Sequence, residues 1–499
     1  MKVLVYYFLL LIYLQSAVFA AEKPNIVLLL TDDQDLLLGG MSPMSRTLAF
    51  LSDGAYLKNF FVNTPVCCPS RSTLISGRFP HNILYNESAK GHSPPACMHM
   101  NASSSDFEEK SIAMYVKKLG YRTGQFGKYL NPPGVESYCK ASGAAPMPGF
   151  DRWFTMCNDN RYYGNKMSDN GKLRTYGDNP SDYLTTIIAN ATLNFMENSL
   201  KEKEPFFAYI APHAPHVPAT PAPQYENALP YMFAPRSPIY NYTATDHHGI
   251  MRLQSPMDPY QIAPQIDELF QNRWRTLLSV DDLMMDVVNK LEQHKQLNNT
   301  YFLFTSDHGF QLGQFNLPSC KLQPYEHDIR VPMFVKGPGI AKSSPAFVAG
   351  MVDIAPTIIT LAGGTPPDTM DGHSFETMIK KSEWGSDKRA STWRDKHTLE
   401  YWSLGDVIRY QHYIDGPNNT YIGVRLVNET HNYLYVEYYE NNNQRYFTES
   451  AVECELFDMS VDPYQKVNLH GTDKEDKNLV NELHSFLQQQ LMCSGSNCV

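Results

Sequence analysis

Apolar residues fall into two patterns along the chain. Asn25 to Leu30 is apolar without alternation, as in a strand covered on both faces, and so in a parallel sheet flanked by helices. Pro205 to Ile210 and Tyr301 to Phe304 repeat this form, and Tyr121 to Phe126 repeats it more weakly. Between these runs the spacing changes to that of a helix. Ile112, Val116 and Leu119 share one face, and Leu184, Ile187, Ile188, Ala191 and Phe195 share another. Ile266 to Leu291 reads as one long helix with Phe270, Trp274, Leu277, Met284, Val288 and Leu291 inward. Strands alternating with helices predict an α/β fold around a large, mostly parallel sheet.

Polar residues cluster where the apolar runs stop. Asp32 and Asp33 follow the first run, Lys128 the weaker one, His213 and His216 the next, and Asp307 and His308 the last. In open α/β sheets ligands bind beyond the carboxyl ends of the strands. Either acidic pair alone reads as a turn or cap. Two such pairs, each after an apolar strand, read as converging groups. Asp32, Asp33 and Asp307 together call for a cation, and an oxygen-rich set favours Ca²⁺ or Mg²⁺, with zinc a competitor because His and Asp serve it too. Residues 212–264 are rich in Pro, Tyr and His without periodicity, and read as an excursion over the active face. Beyond about residue 380, Tyr421 to Val427 and Tyr433 to Tyr438 look like short strands and Asn481 to Leu491 like a final helix. This predicts a main domain over 21–380 and a smaller domain over 381–499, built from an antiparallel sheet and a helix.

Composition narrows the class. With 499 residues, 42% hydrophobic and 19% charged, the chain is a folded protein long enough for more than one domain. A net charge of −10 leaves no basic footprint for nucleic acid. Lys2, the apolar run Val3 to Leu14 and the small residue Ala20 read as a signal peptide over 1–20, too short for a comfortable membrane span. No later stretch is long and apolar enough to span a bilayer. Asn86, Asn101, Asn190, Asn241, Asn298, Asn418 and Asn428 head N-x-Ser/Thr sequons, as in a secretory glycoprotein. With 9 cysteines in an oxidising compartment one is left over. If Cys67 is reserved for chemistry the others can all pair, with Cys493 and Cys498 a plausible local bridge.

The stretch Cys67-Cys68-Pro69-Ser70-Arg71, continuing to Ser76-Gly77-Arg78, places a thiol, hydroxyls and guanidinium groups at the start of a helix-like segment. Such a helix end suits an anion, and Arg71 has a fork that matches a tetrahedral oxyanion. This stretch resembles the signature of the sulfatase family. Gly127-Lys128-Tyr129-Leu130-Asn131, Pro215-His216, Asp307-His308 and Cys320-Lys321 are similar to further blocks of that family, from about residue 24 to the C-terminus. Ser306-Asp307-His308-Gly309-Phe310 and Ala222-Pro223-Gln224-Tyr225 resemble the N-acetylglucosamine-6-sulfatase branch. The extracellular endosulfatases share these blocks but carry a long charged insertion that this chain lacks.

The resemblance implies an alkaline-phosphatase-like fold with a small C-terminal domain. It implies that the formylglycine-generating enzyme of the endoplasmic reticulum converts Cys67 to formylglycine. Asp32, Asp33, Asp307, His308 and the modified Cys67 would hold one divalent cation, Ca²⁺ before Mg²⁺. Arg71 would orient the hydrated aldehyde, Lys128 and Lys321 would bind sulfate oxygens, and His216, preferred to His213, would transfer a proton or bind sulfate. Many family members carry Asn at His308 and a histidine at Leu130; Asn131, His247 or His248 are the candidates to replace the latter. The expected activity is removal of 6-O-sulfate from N-acetylglucosamine in heparan or keratan sulfate, in the lysosome, with extracellular release as an alternative. The competing readings are another sulfate or phosphate ester, and a secreted glycoprotein that only binds sulfated glycans.

Overall fold

A computed structural model describes residues 22–83, 107–131, 135–140, 143–158, 161–380, 393–403, 408–410, 413–440 and 450–498. The signal-peptide reading, sequons Asn86 and Asn101, and Cys97 lie outside the described residues. The main sheet has nine strands: β1 (Asn25–Thr31), β2 (Ala55–Tyr56), β3 (Arg122–Gly127), β4 (Arg152–Met156), β5 (Lys166–Asp169), β6 (Lys172–Thr175), β7 (Phe206–Ala211), β8 (Thr300–Ser306) and β9 (Met333–Lys336). Their spatial order is β2-β9-β8-β1-β7-β3-β4-β5-β6. The central run β8-β1-β7-β3-β4 is parallel, and the flanking pairs are antiparallel. Ile26 pairs with both Phe207 and Tyr301, so β1 lies mid-sheet with strands on both sides.

The unbroken apolar runs now have their reason. Along β1, Ile26, Leu28 and Leu30 enter one core while Val27 and Leu29 enter the other. The first core is covered by α2 (Cys67–Ser76), α3 (Ile112–Lys118) and α7 (Ile354–Leu361). The second is covered by α1 (Ser45–Leu51), α4 (Leu184–Glu202) and α5 (Ile262–Gln293). On α5, Leu277, Val280, Leu283, Met284, Val287, Val288 and Leu291 are buried at helical spacing. Each contributes about 1.5–3 kcal/mol of transfer free energy. Arg273 is also buried on this helix, whereas Trp274, expected inward, is half-buried. Asp281 and Asp282 are structural: Arg46 bonds both, and the Thr47 backbone and hydroxyl bond Asp281.

The C-terminal sheet is antiparallel in the order β10 (Lys396–Tyr401), β11 (Thr420–Val427), β12 (Asn432–Tyr439), β13 (Glu453–Asp458). One face packs on α8 (Lys477–Met492) through Leu479, Leu483 and Leu487. On the other face Leu399, Tyr421, Leu434, Val436 and Tyr438 join the first main core. The short helix α6 (Glu326–Ile329) is trapped between the sheets, where Glu326 Oε1 accepts from Arg425 Nε at 2.6 Å. Glu326 and His327 are both buried there. Among the described residues no helix is long and apolar enough to cross a membrane.

Disulfides join Cys139 to Cys157 and Cys493 to Cys498, and Cys68 is also disulfide-bonded. Complete pairing of the other cysteines is not what the structure has. Cys320 and Cys454 carry thiols along with Cys67. Cys320 Sγ lies 2.9 Å from the Lys321 carbonyl in a buried loop, and Cys454, on the edge strand β13, faces the Tyr435 hydroxyl at 3.9 Å.

Candidate active site

The ends of β1, β3, β7 and β8 open on one point. Asp32 and Asp33 leave β1, Lys128 leaves β3, His213 and His216 follow β7, and Asp307 and His308 leave β8. The loops bond to one another: Asp32 N–H donates to Ala214 carbonyl at 3.2 Å, Lys128 N–H to Ala211 carbonyl at 2.8 Å, and Asp307 N–H to Thr31 carbonyl at 3.1 Å. Gly127 turns the chain into Lys128 at φ +102°, where a Cβ would lie 2.1 Å from the Ala211 carbonyl oxygen. No larger residue fits this approach of β3 to β7.

Cys67 enters as the first residue of α2, a helix buried along its whole length and ended by Gly77 at φ +65°. Cys67 Sγ lies 3.3 Å from His308 Nε2, 3.3 Å from Lys321 Nζ, 3.4 Å from Asp32 Oδ1 and 3.9 Å from Asp33 Oδ1. One turn on, Ser70 Oγ donates to the Asp307 carbonyl at 2.5 Å. Arg71 Nε donates to Asp307 Oδ2 at 2.8 Å and Nη1 to the Lys128 carbonyl at 2.8 Å. The helix thus anchors the β3 and β8 loops while presenting its first thiol to them.

The cations sit against the acids. Lys128 Nζ lies 2.6 Å from Asp32 Oδ2, which His213 Nδ1 also approaches at 2.9 Å. Lys321 Nζ lies 2.7 Å from Asp33 Oδ1, and His308 Nε2 lies 3.1 Å from the same oxygen. His308 and His216 each direct Nδ1 to a backbone carbonyl, Gly309 at 2.8 Å and Val217 at 2.6 Å. That contact suits a proton on Nδ1 and turns Nε2 inward. The two β7-loop imidazoles stack with centroids 4.6 Å apart.

Burial and charge oppose each other here. Burial alone would raise the carboxyls of Asp32 and Asp33, but both stay well below the usual range: Lys128, His216 and Arg71 act on Asp32, and His216, Lys321 and His308 act on Asp33. For Asp307 burial wins over Arg71, and its carboxyl is pushed up to about 6. Burial also favours a raised Cys67 thiol, yet Lys128 and Lys321 draw it below its ordinary value. His213 and His216 are held down to about 4, chiefly by burial.

The donor set suits a divalent cation. Ligand atoms from Asp32, Cys67, Asp307 and His308, and from Asp32, Asp33, Cys67 and His216, each lie within 4.8 Å of one another. Asp33 Oδ2 is buried with no hydrogen-bond partner, an oxygen that a cation would satisfy. Every residue expected at the site (Asp32, Asp33, Cys67, Arg71, Lys128, His216, Asp307, His308, Lys321) is brought to this cluster. His213, ranked below His216 from sequence, is there too. His247 and His248 are not: they pack under the C-terminal sheet, bonded to Asp246, Gln465 and Gln323.

A sulfatase family model matches residues 24–364, and the model for the C-terminal region of N-sulphoglucosamine sulphohydrolase matches residues 320–492. The chain belongs to the sulfatase family. Its activity class is that of a sulfuric ester hydrolase. N-acetylglucosamine-6-sulfatases of Homo sapiens and Capra hircus are 36% and 35% identical to it over 96% of this chain, covering 86% and 85% of their own lengths. An extracellular sulfatase SULF-1 homolog of Drosophila melanogaster is 36% identical over 72% of this chain but only 31% of its own length. Among solved structures, a protein in complex with its substrate D-glucosamine-2-N,6-O-disulfate superposes with a TM-score of 0.70 at 20% identity, covering 94% of this chain and 97% of that one. A phosphonate monoester hydrolase from Silicibacter pomeroyi superposes with a TM-score of 0.65 at 19% identity, covering 94% and 95%. These two likenesses establish the alkaline-phosphatase-like fold of the sulfatases.

Proposed function

We propose that this sulfatase removes 6-O-sulfate from N-acetylglucosamine residues of heparan or keratan sulfate. The observation that carries the chemistry is the placement of Cys67 Sγ within 3.9 Å of two acids, a lysine and a histidine at the first turn of a buried helix. The substrate is inferred from the human and goat relatives, which are N-acetylglucosamine-6-sulfatases and whose lengths this chain largely covers. As a hydrated formylglycine, position 67 would supply one hydroxyl to attack sulfur and a second to release sulfate. A Ca²⁺ held by Asp32, Asp33, Asp307 and His308 would acidify the attacking hydroxyl and draw in sulfate oxygens.

The remaining roles belong to the chain's own groups. Arg71, tied to Asp307 and the Lys128 carbonyl, orients position 67. Lys128 and Lys321 bind sulfate oxygens and stabilise the charge that builds on them. His216, with His213 stacked on it at 4.6 Å between ring centres, transfers a proton or binds sulfate. The secretory route, conversion by the formylglycine-generating enzyme and a lysosomal destination complete the reading. The test is release of sulfate from N-acetylglucosamine 6-sulfate at acid pH by protein whose Cys67 peptide carries an aldehyde in mass spectrometry. An unmodified thiol in secreted protein would favour a glycan-binding role. Aldehyde-bearing protein that prefers a matched phosphate ester would overturn the sulfate assignment.

A further inference from the structure

Asp33 has φ +68°, in the left-handed region that a residue with a Cβ rarely adopts. Its backbone is held from both sides by other elements. The N–H donates to Asp307 Oδ1 at 3.0 Å. The carbonyl accepts from Arg273 Nη2 at 2.6 Å, across 240 residues of chain. Arg273 comes from the middle of α5 and is only 1% exposed. Its Nη2 also lies 3.0 Å from Asp35 Oδ1, and its Nη1 donates to the Pro215 carbonyl at 3.3 Å. Its guanidinium carbon stands 4.2 Å from the centre of the Phe310 ring.

One side chain therefore touches the loops after β1, β7 and β8. These carry Asp32 and Asp33, His213 and His216, and Asp307 and His308. Arg273 bonds to the Asp33 and Pro215 carbonyls and to Asp35, so it acts on the site through the backbone. A planar guanidinium can serve two carbonyls and a carboxylate while stacking on a ring; an ammonium has neither the fork nor the flat face. Asp35 compensates the buried charge, and its Oδ2 also accepts the Leu38 and Gly40 N–H groups at 3.0 and 3.1 Å.

We propose that Arg273 is a positioning residue of the sulfatase site: it fixes the left-handed Asp33 backbone and so aims the Asp33 carboxylate at position 67, Lys321 and the divalent cation. The proposal rests on the reading of Asp33 as a cation ligand. A role limited to seating α5 on the sheet would lower stability but leave cation affinity and turnover per folded molecule unchanged.

The test compares native protein, Arg273→Lys, and the double variant Arg273→Met with Asp35→Asn, which removes both buried charges together. Ca²⁺ is titrated into chelator-stripped protein and followed by the rise in unfolding temperature; kcat and KM are measured on a small aryl sulfate. Loss of an outer-shell partner typically weakens cation binding or activity by about 10–100-fold. The expected result is a Ca²⁺ midpoint raised at least about tenfold and a comparable fall in kcat, with KM nearly unchanged, in both variants. Arg273→Lys keeps a charge facing Asp35, and supplies the measurement if the double variant does not fold. Folded variants with native Ca²⁺ midpoint and native kcat would overturn the proposal. If native enzyme turns over but does not respond to Ca²⁺, the cation reading fails, and kcat alone decides whether Arg273 positions Asp33.

Discussion

At the scale of single residues, the two acids after β1 are not equivalent. Asp32 Oδ2 is shared by Lys128 and His213, whereas Asp33 Oδ1 is shared by Lys321 and His308. Removing Lys321 takes away a contact to position 67 and leaves a buried carboxylate short of a partner. Lys321→Ala is therefore expected to lower kcat on a sulfate ester by about 10²–10³-fold, the range for loss of one transition-state donor. A smaller effect in properly folded protein would remove Lys321 from the charge-stabilising role. Because His213 and Lys128 meet on one oxygen, their alanine variants should not add. A double-mutant cycle on kcat/KM should show coupling of about 0.5–3 kcal/mol, and strict additivity would mean that the two act separately. The acids, Cys67, Arg71 and both lysines were legible because each follows a strand or sits in a familiar block. His213 was ranked below His216, since a proline-rich loop commonly carries solvated histidines. The available signal was its spacing to His216, which lets the two rings stack once the loop turns.

At the scale of elements, the C-terminal sheet helps to build the active site. Lys321 is followed by Leu322 at φ +84°, another strained backbone position. The Leu322 carbonyl accepts from Tyr421 OH at 3.2 Å and from Asn419 Nδ2 at 3.4 Å, while its N–H donates to the Pro65 carbonyl at 3.2 Å. The start of β11 thus clamps the loop that delivers Lys321 to Asp33. Tyr421→Phe keeps the ring in the core and removes one bond, so it should cost about 1 kcal/mol of stability. It should also lower kcat several-fold, because Lys321 loses its fixed approach. Chemical denaturation and steady-state kinetics on the same preparation check both halves, and an unchanged kcat would confine the bond to stability. None of this support could be read from the chain. The strands were legible from their apolar runs, but which β-strand residue braces which loop depends on tertiary contact. The same holds for Glu326, whose partner Arg425 lies 99 residues away, and for Arg273, a charge on a helix whose apolar spacing pointed to Trp274 instead.

At the scale of the whole molecule, buried ionisable groups pull stability in opposite directions with pH. Burial holds His248 and His397 down to about 3 and His327 down to about 4. Groups depressed in this way contribute stability above their unfolded value near 6.5, and that contribution is lost as pH falls toward the folded values. Asp328 works against them. Its carboxyl is pushed up to about 8, mainly by burial. Oδ2 accepts from the Gln323 N–H and from Gln311 Nε2, each at 3.0 Å, while Oδ1 has no partner. Its backbone carbonyl takes the Gly309 N–H at 2.8 Å, so this residue joins the loop of His308 to the loop of Lys321. A carboxyl raised on folding stabilises fully below its unfolded value near 3.9, and the contribution drains away as pH rises toward 8. Asp328 therefore favours the folded enzyme at the acid end, in keeping with the proposed lysosomal destination. Asparagine resembles the protonated acid, keeps an oxygen for Gln311 and Gln323, and does not titrate. Asp328→Asn should accordingly be more stable relative to native at pH 7 than at pH 5, by about 2 kcal/mol, somewhat under the full two-unit linkage value. Urea unfolding of both proteins at the two pH values measures the difference directly. Parallel pH dependence would mean that Asp328 is already ionised in the folded protein, and the acid bias of the His308–Lys321 junction would have to come from another group.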